Sequence, residues 1–263
     1  MGSATRSALE AARSALAATK SVDLTTGEQL LAASRTIGTS TQLQSALTDP
    51  SASPKDKEAL LSALFGSLSP AALALLTAMA QQRWSTAEEF LAGLEEIGIR
   101  AVASSTSAEA GLEAELFTFG AAVASDAELE LALGSKRGSA EGKRSLVESL
   151  LADNASTQAV AIAGHLVQQP RGRRIGELVR TGAAIVADSF GKGIATVSVA
   201  RPLSDEQRAS IGAMLRERYG RDHTLNQVID PALVGGVRVQ VGDDVIDGSV
   251  AARLAELTLR LAG

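Results

Sequence analysis

The sequence predicts a mainly α protein in which two tandem helical bundles precede a small α/β domain with a short sheet and two helices. Three observations carry this expectation. Helix-start signals recur throughout residues 1–190, a block of short helix, linker and longer amphipathic helix occurs twice at a fixed spacing, and from Gly193 the apolar period changes from helical to alternating. The expected domains are 1–105, an extra helical bundle, 106–190, a second bundle, and 191–263, the α/β end.

The start signals have a physical basis. Ser53-Pro54 and Ser69-Pro70 place a capping hydroxyl before a proline, whose fixed φ and missing N–H suit the first helical position. Thr25 to Glu28 and Ser85 to Glu88 fit reciprocal capping boxes. Helices are expected at about 5–20, 26–39, 41–48, 54–65, 70–83, 86–103, 108–124, 127–133, 140–151, 156–168 and 174–188, with bounds good to a few residues. Thr41 to Leu47 is similar to Ala127 to Leu133, and Leu43 pairs with Leu129 at an offset of 86 (129 minus 43). The same offset pairs Lys57 with Lys143, Leu60 with Leu146 and Leu64 with Leu150, which is the signature of a duplicated bundle.

Beyond the Gly191-Lys192-Gly193 hinge, Ile194, Val197 and Val199 mark a strand, Ser204 to Tyr219 a helix and Thr224 to Ile229 a second strand. Val237, Val239 and Val241 alternate with Arg238 and Gln240 in a half-buried strand, after which Gly242-Asp243-Asp244 reverses the chain. Asp247 or Ser249 can cap a last helix whose apolar stripe is Val250, Leu254, Leu257 and Leu261. The expected product is a βαββα-like unit with a mixed or antiparallel sheet and both helices on one face.

Composition narrows the function. Hydrophobic residues are 45% of the chain but aromatics only 3%, so the cores must be built from Ala, Leu, Val and Ile. The absence of cysteine removes disulfides, thiol nucleophiles and cysteine-ligated metals. A net charge of -5 argues against a nucleic-acid surface. The apolar run Ala71 to Ala80 falls short of the ~20 residues a spanning helix needs, so a soluble protein is expected, with any membrane association through partners.

No constellation suggests catalysis, and no cofactor or metal is expected. His165 and His223 fall in different domains, the first as a packed helical residue and the second at the surface. Gly191-Lys192-Gly193 lacks the spacing of a phosphate loop. Gly235-Gly236 reads as a bulge or tight start to a strand, with an anion cradle as the alternative. Arg171, Arg173 and Arg174 read as a solvated loop before a helix or a docking site for an acidic segment, and Trp84 as the plug of a bundle end. Neighbours such as Glu95-Glu96 point in different directions and make no acid/base pair.

Leu203-Ser204-Asp205-Glu206-Gln207, Leu225 to Asp230, the Gly235-Gly236 pair, Gly242, Val245-Ile246-Asp247-Gly248-Ser249 and Arg253-Leu254 together resemble the C-terminal signature of the ATP synthase delta subunit family. That family is the bacterial and plastid counterpart of the mitochondrial oligomycin-sensitivity-conferring protein. The duplicated helical region is similar to that of some actinobacterial members. The first helix that the family places in its bundle has no obvious copy between Val102 and Ala108, and Leu9, Ala12 and Leu16 of the opening helix are candidates to supply it. The resemblance implies a non-catalytic stator component of the peripheral stalk, held at the cytoplasmic face of the membrane as part of a proton-translocating rotary ATP synthase. It implies N-terminal helices of the α subunits and C-termini of the b-type stalk subunits as partners. Peptide-helix docking in bundle grooves would suit the composition, with Leu9, Leu16, Leu76, Met79, Leu166 and Val167 as candidates for the α helices and Leu257, Leu259 and Leu261 for the stalk. A helical adaptor binding RNA or another regulatory complex is the other class these bundles allow.

Overall fold

A computed structural model describes residues 2–135, 137–152 and 154–254. Among these, eleven helices come first: α1 Ser3–Ala18, α2 Leu24–Gly38, α3 Thr41–Thr48, α4 Pro54–Phe65, α5 Pro70–Ala80, α6 Ala87–Ala103, α7 Leu112–Ser125, α8 Ala127–Gly134, α9 Ala140–Leu151, α10 Thr157–Gln168 and α11 Ile175–Ser189. They are followed by β1 Gly193–Val199, α12 Asp205–Tyr219, β2 His223–Ile229, β3 Val237–Val241 and β4 Asp244–Asp247. Residues 250–254 are helical. Met1–Val186 and Ala187–Gly263 form two compact units.

The caps explain where helices begin. Ser53, Ser69, Ser139 and Ser156 each accept a hydrogen bond from a backbone N–H of the first turn of α4, α5, α9 and α10. Two starts differ from expectation. Asp23, not a threonine, caps α2, accepting from the Thr26 N–H at 2.8 Å, and Thr86 caps α6, accepting from the Glu89 N–H at 3.1 Å. The start of α7 is delayed to Leu112 because Gly111, at φ +75°, takes a left-handed turn that ordinary residues avoid.

Shifting α1 to α6 by 86 residues lands on α6 to α11, within two residues at every bound. The helix α6 therefore closes the first repeat and opens the second. It is the first helix that the second bundle lacks between Val102 and Ala108, and α1 belongs to the first repeat alone. Equivalent contacts recur. Gln29 Oε1 accepts from the Ser69 N–H at 2.8 Å, and Glu115 Oε2 accepts from the Ser156 N–H at 3.0 Å. Lys57 and Lys143 are both buried, and Lys57 Nζ donates to the Ala80 carbonyl at 2.9 Å.

A helix shared by two repeats must bury apolar side chains on more than one face. Phe90, Leu91, Leu94, Ile97, Ile99 and Val102 are all buried in α6. Gly93 leaves room for the Trp84 ring and Gly98 for Leu31, since a β-carbon at either would lie about 2.5 Å from them. Trp84 is buried, and its Nε1 donates to the Met79 carbonyl at 2.8 Å. In the second repeat α7 and α11 close through glycine as well, Gly120 against the Gly176 carbonyl.

The C-terminal unit holds a mixed sheet of order β2-β1-β3-β4. The parallel β1–β2 pair needs a crossover, which α12 supplies. The antiparallel pairs align Val197 with Val239 and Val239 with Ile246. Ala195, Val197, Val199 and Val239 pack on Ile211 and Leu215 of α12. The strand β4 is an addition to the expected elements: the chain reverses at Gly242-Asp243, and Asp244–Asp247 then pairs with β3 as a hairpin.

Candidate partner-binding surfaces and the comparisons with known proteins

The signature residues form a backbone clasp. Gly236 sits at φ +83°, and a β-carbon there would lie 2.5 Å from the Gly248 carbonyl oxygen and 2.8 Å from Ser249 Cα. Across this contact the Val250 N–H donates to the Gly235 carbonyl at 3.0 Å and the Gly248 N–H to the Val237 carbonyl at 2.9 Å. The Gly235-Gly236 pair is thus a tight start to β3, with Gly236 at positive φ, held by close approach of another backbone stretch. Gly242 makes the β3–β4 turn at φ +58°. Ser249 caps the last helical segment, its Oγ accepting from the Ala252 N–H at 3.2 Å, while Asp247 Oδ1 accepts from the Ser249 N–H at 2.9 Å. The Arg253 N–H donates to the Ser249 carbonyl at 3.1 Å. Val250 and Leu254, the first two residues of the expected apolar stripe of the last helix, are 42% and 58% exposed.

Asp244 ties this hairpin to α12. It accepts from the Tyr219 hydroxyl and from Arg218 Nη2 at 3.1 Å, which holds its carboxyl below the usual range and raises the Tyr219 phenol. His223 packs beside Tyr219 with ring centroids 5.3 Å apart, and its Nδ1 lies 3.0 Å from the Arg221 carbonyl.

The groove candidates are mostly core. Leu9, Leu76, Met79, Leu166 and Val167 are all buried, and Leu16 is half-buried against the first-repeat core. The physical reason is that α5 and α10 each pack against neighbours on several sides and leave those side chains no open face. Leu257, Leu259 and Leu261 lie outside the described residues.

Two of the three arginines of the cluster are clasped inward, while Arg174 is exposed. Arg173 grips Glu95 of α6 bidentately, Nη1 and Nη2 each 2.9 Å from one carboxylate oxygen, and Arg171 Nη2 lies 2.9 Å from Oε2. His165 Nε2 is 3.7 Å from the same oxygen, too far for a hydrogen bond, and its Nδ1 meets Arg35 Nη1 of α2 at 2.8 Å. Burial alone would raise the Glu95 carboxyl, but the paired hydrogen bonds from Arg173 and the charges of Arg171 and Arg173 hold it at about 2. Burial lowers the His165 imidazole despite Glu95, so the ring is neutral near pH 7 and Nδ1 accepts from Arg35. This network bridges both repeats through the shared helix. Among the described residues no cluster of three His, Cys, Asp or Glu could hold a metal, and no helix is long and apolar enough to cross a membrane.

The fold defines a helical-repeat scaffold joined to a small α/β module, with polar residues spent on internal clasps. The chain belongs to the ATP synthase delta (OSCP) subunit family, whose model matches residues 99–261, beginning inside α6. It is 49% identical over 264 residues to the ATP synthase subunit delta of Leifsonia xyli subsp. xyli, covering 100% of both chains. It is 38% identical over 273 residues to that of Streptomyces griseus subsp. griseus, again over 100% of both. The Arthrobacter sp. subunit delta is 40% identical over 240 residues, 87% of each chain. A chain of the Toxoplasma gondii mitochondrial ATP synthase hexamer aligns loosely, at 21% identity over 64% of this chain and 96% of that one, with a TM-score of 0.38.

Proposed function

We propose that this chain is a non-catalytic stator component that joins the catalytic head of a rotary ATP synthase to its b-type stalk subunits at the cytoplasmic face of the membrane. The observation that carries the reading is the end-to-end match to proteins named ATP synthase subunit delta, helical repeats and α/β end together. In this reading the helical unit takes N-terminal helices of the α subunits. The α/β unit takes the C-termini of the b-type subunits, and the chain reaches the membrane only through the complex. The exposed Val250 and Leu254 give the stalk contact an apolar start that the sequence continues to Leu257 and Leu261.

A stator contact must outlast many turnovers, so slow dissociation matters more than fast association. The internal clasps suit a body that passes on sideways load without yielding. The test is binding of the full chain to a peptide from the N-terminus of the synthase's α subunits and, separately, to a fragment from the C-terminal end of its b-type stalk subunits, with ATP-driven proton pumping measured in membranes lacking the chain. Binding to both and loss of coupled pumping are expected. A folded chain that binds neither, or membranes that stay fully coupled without it, would overturn the proposal.

A further inference from the structure

We infer that the groove walled by α7, α8 and α9 is a docking site for an amphipathic, positively charged helix of a partner chain. The inference rests on the stator reading and names the surface that reading leaves open. Leu146 and Leu150, one turn apart on α9, are 37% and 44% exposed. Their counterparts at the 86-residue offset are Leu60 and Leu64 of α4, and Leu64 is 55% exposed. Between α4 and α9 only three positions are identical at that offset: the buried lysines Lys57 and Lys143, which serve the cores, and these two leucine pairs. An outward leucine kept in both repeats on otherwise divergent helices, as Leu64 and Leu150 are, has no folding reason to be there.

Beside Leu150 the surface opens into a groove of about 470 Å³, lined chiefly by Ala114, Thr118, Phe119, Leu129 and Leu151. It is apolar and has small residues on its α7 wall, which lets a helix backbone lie close while its stripe at i, i+3, i+4 and i+7 meets the leucines. Charge selects the partner. Residues 112–134, spanning α7 and α8, contain no Lys, Arg or His; Glu113 is buried, while Glu115 lines the groove and Asp126, Glu128 and Glu130 stand at least partly exposed at α8. The corresponding helices of the first repeat, α2 and α3, carry only Glu28 and Arg35 and are neutral. The second repeat thus joins an apolar groove to an acidic rim, and an apolar stripe flanked by Lys or Arg complements both.

The full chain would be titrated into a fluorescent helical peptide of about 18 residues built from Leu and Lys, and into its Leu and Glu twin, with anisotropy as the readout. Binding of the Lys peptide should be at least about tenfold tighter than that of the Glu peptide and should weaken with salt. Leu150→Asp should weaken it at least about tenfold, while Leu64→Asp should change it less than about twofold. Glu128→Lys, at an exposed position that leaves the core intact, should weaken the Lys peptide and strengthen the Glu peptide. Equal binding of both peptides, no effect of Leu150→Asp or Glu128→Lys, or an equal loss in Leu64→Asp would each overturn the inference. Should the segments from the α and b-type subunits fail to bind the chain at all, the stator reading falls. Should they bind undiminished to Leu150→Asp and Glu128→Lys, only the groove assignment falls.

Discussion

Replacing Glu95 by glutamine removes the one anion around which Arg171, Arg173 and His165 gather. A carboxyl held at about 2 in the folded chain against an ordinary 4.5 is worth about 3 kcal/mol as the anion, at about 1.4 kcal/mol per tenfold of proton affinity. The Arg173 and Arg171 side chains are 36% and 22% exposed, and water screens their share, which brings the expected loss to about 2–3 kcal/mol. In a unit of this size that corresponds to a melting point lower by about 4–12 °C. Trp84, the sole tryptophan, lies against Gly93, a neighbour of Glu95 on α6, and reports unfolding of this region by fluorescence in urea. Because the folded value is depressed, the contribution is complete above 4.5 and disappears as pH falls through about 2. The wild-type minus Glu95→Gln difference should therefore be flat from about pH 7 to about 5.5 and shrink below about 4.5. A difference under about 0.5 kcal/mol at neutral pH, or one that stays constant down to about pH 3, would refute the assignment of Glu95 as the charged anchor.

Other substitutions test the remaining contacts. Gly236→Ala forces a β-carbon into the Gly248 carbonyl at positive φ and should speed amide exchange at Val250 and Gly248 at least about tenfold, for a cost of more than about 1.4 kcal/mol. Ser249→Ala removes the cap of the last helical segment and should cost about 1 kcal/mol of local stability, seen as faster exchange at the Ala252 amide. Lys57→Ala leaves the Ala80 carbonyl without its buried donor and should lower stability by about 1–3 kcal/mol in urea unfolding, whereas Lys57→Met should cost less because it keeps the packing.

Features encoded within a turn or two are legible in the sequence, and those that depend on distant partners are not. The serines before Pro54 and Pro70 announce their helices because cap and proline act within one turn. The duplication is legible too, since Leu43 and Leu129 or Lys57 and Lys143 keep one offset. Arg171 and Arg173 read as solvated because their partner lies on α6, 78 residues upstream of Arg173, and nothing in the loop signals a buried carboxylate. The strand β4 escapes a pattern reading because Asp244 to Asp247 is four residues with two charged ends, too short to show alternation, and its pairing to β3 decides it. Burial of Leu76 and Leu166 does not separate from exposure in a groove, since a core stripe and a docking stripe share one period.

Glu95 and Glu96 show why the two repeats do not come apart at a linker. Adjacent residues on a helix point about 100° apart. In most helices one of two such carboxylates faces water, yet here both are largely covered, at 6% and 13% side-chain exposure. Glu96 Oε1 turns to Arg13 of α1, 2.7 Å away, and to Arg100 at 2.8 Å, inside the first repeat. Glu95 turns to Arg171 and Arg173 beyond α10 and faces His165, inside the second. The pair thus spends one charge on each side of a helix that both repeats count as their own. A cut after residue 105 would strip α6 from the second repeat, and a cut before 87 would strip it from the first. A repeated body joined in this way has at its joint a helix packed and ion-paired from both sides, where two separate bundles would have a linker.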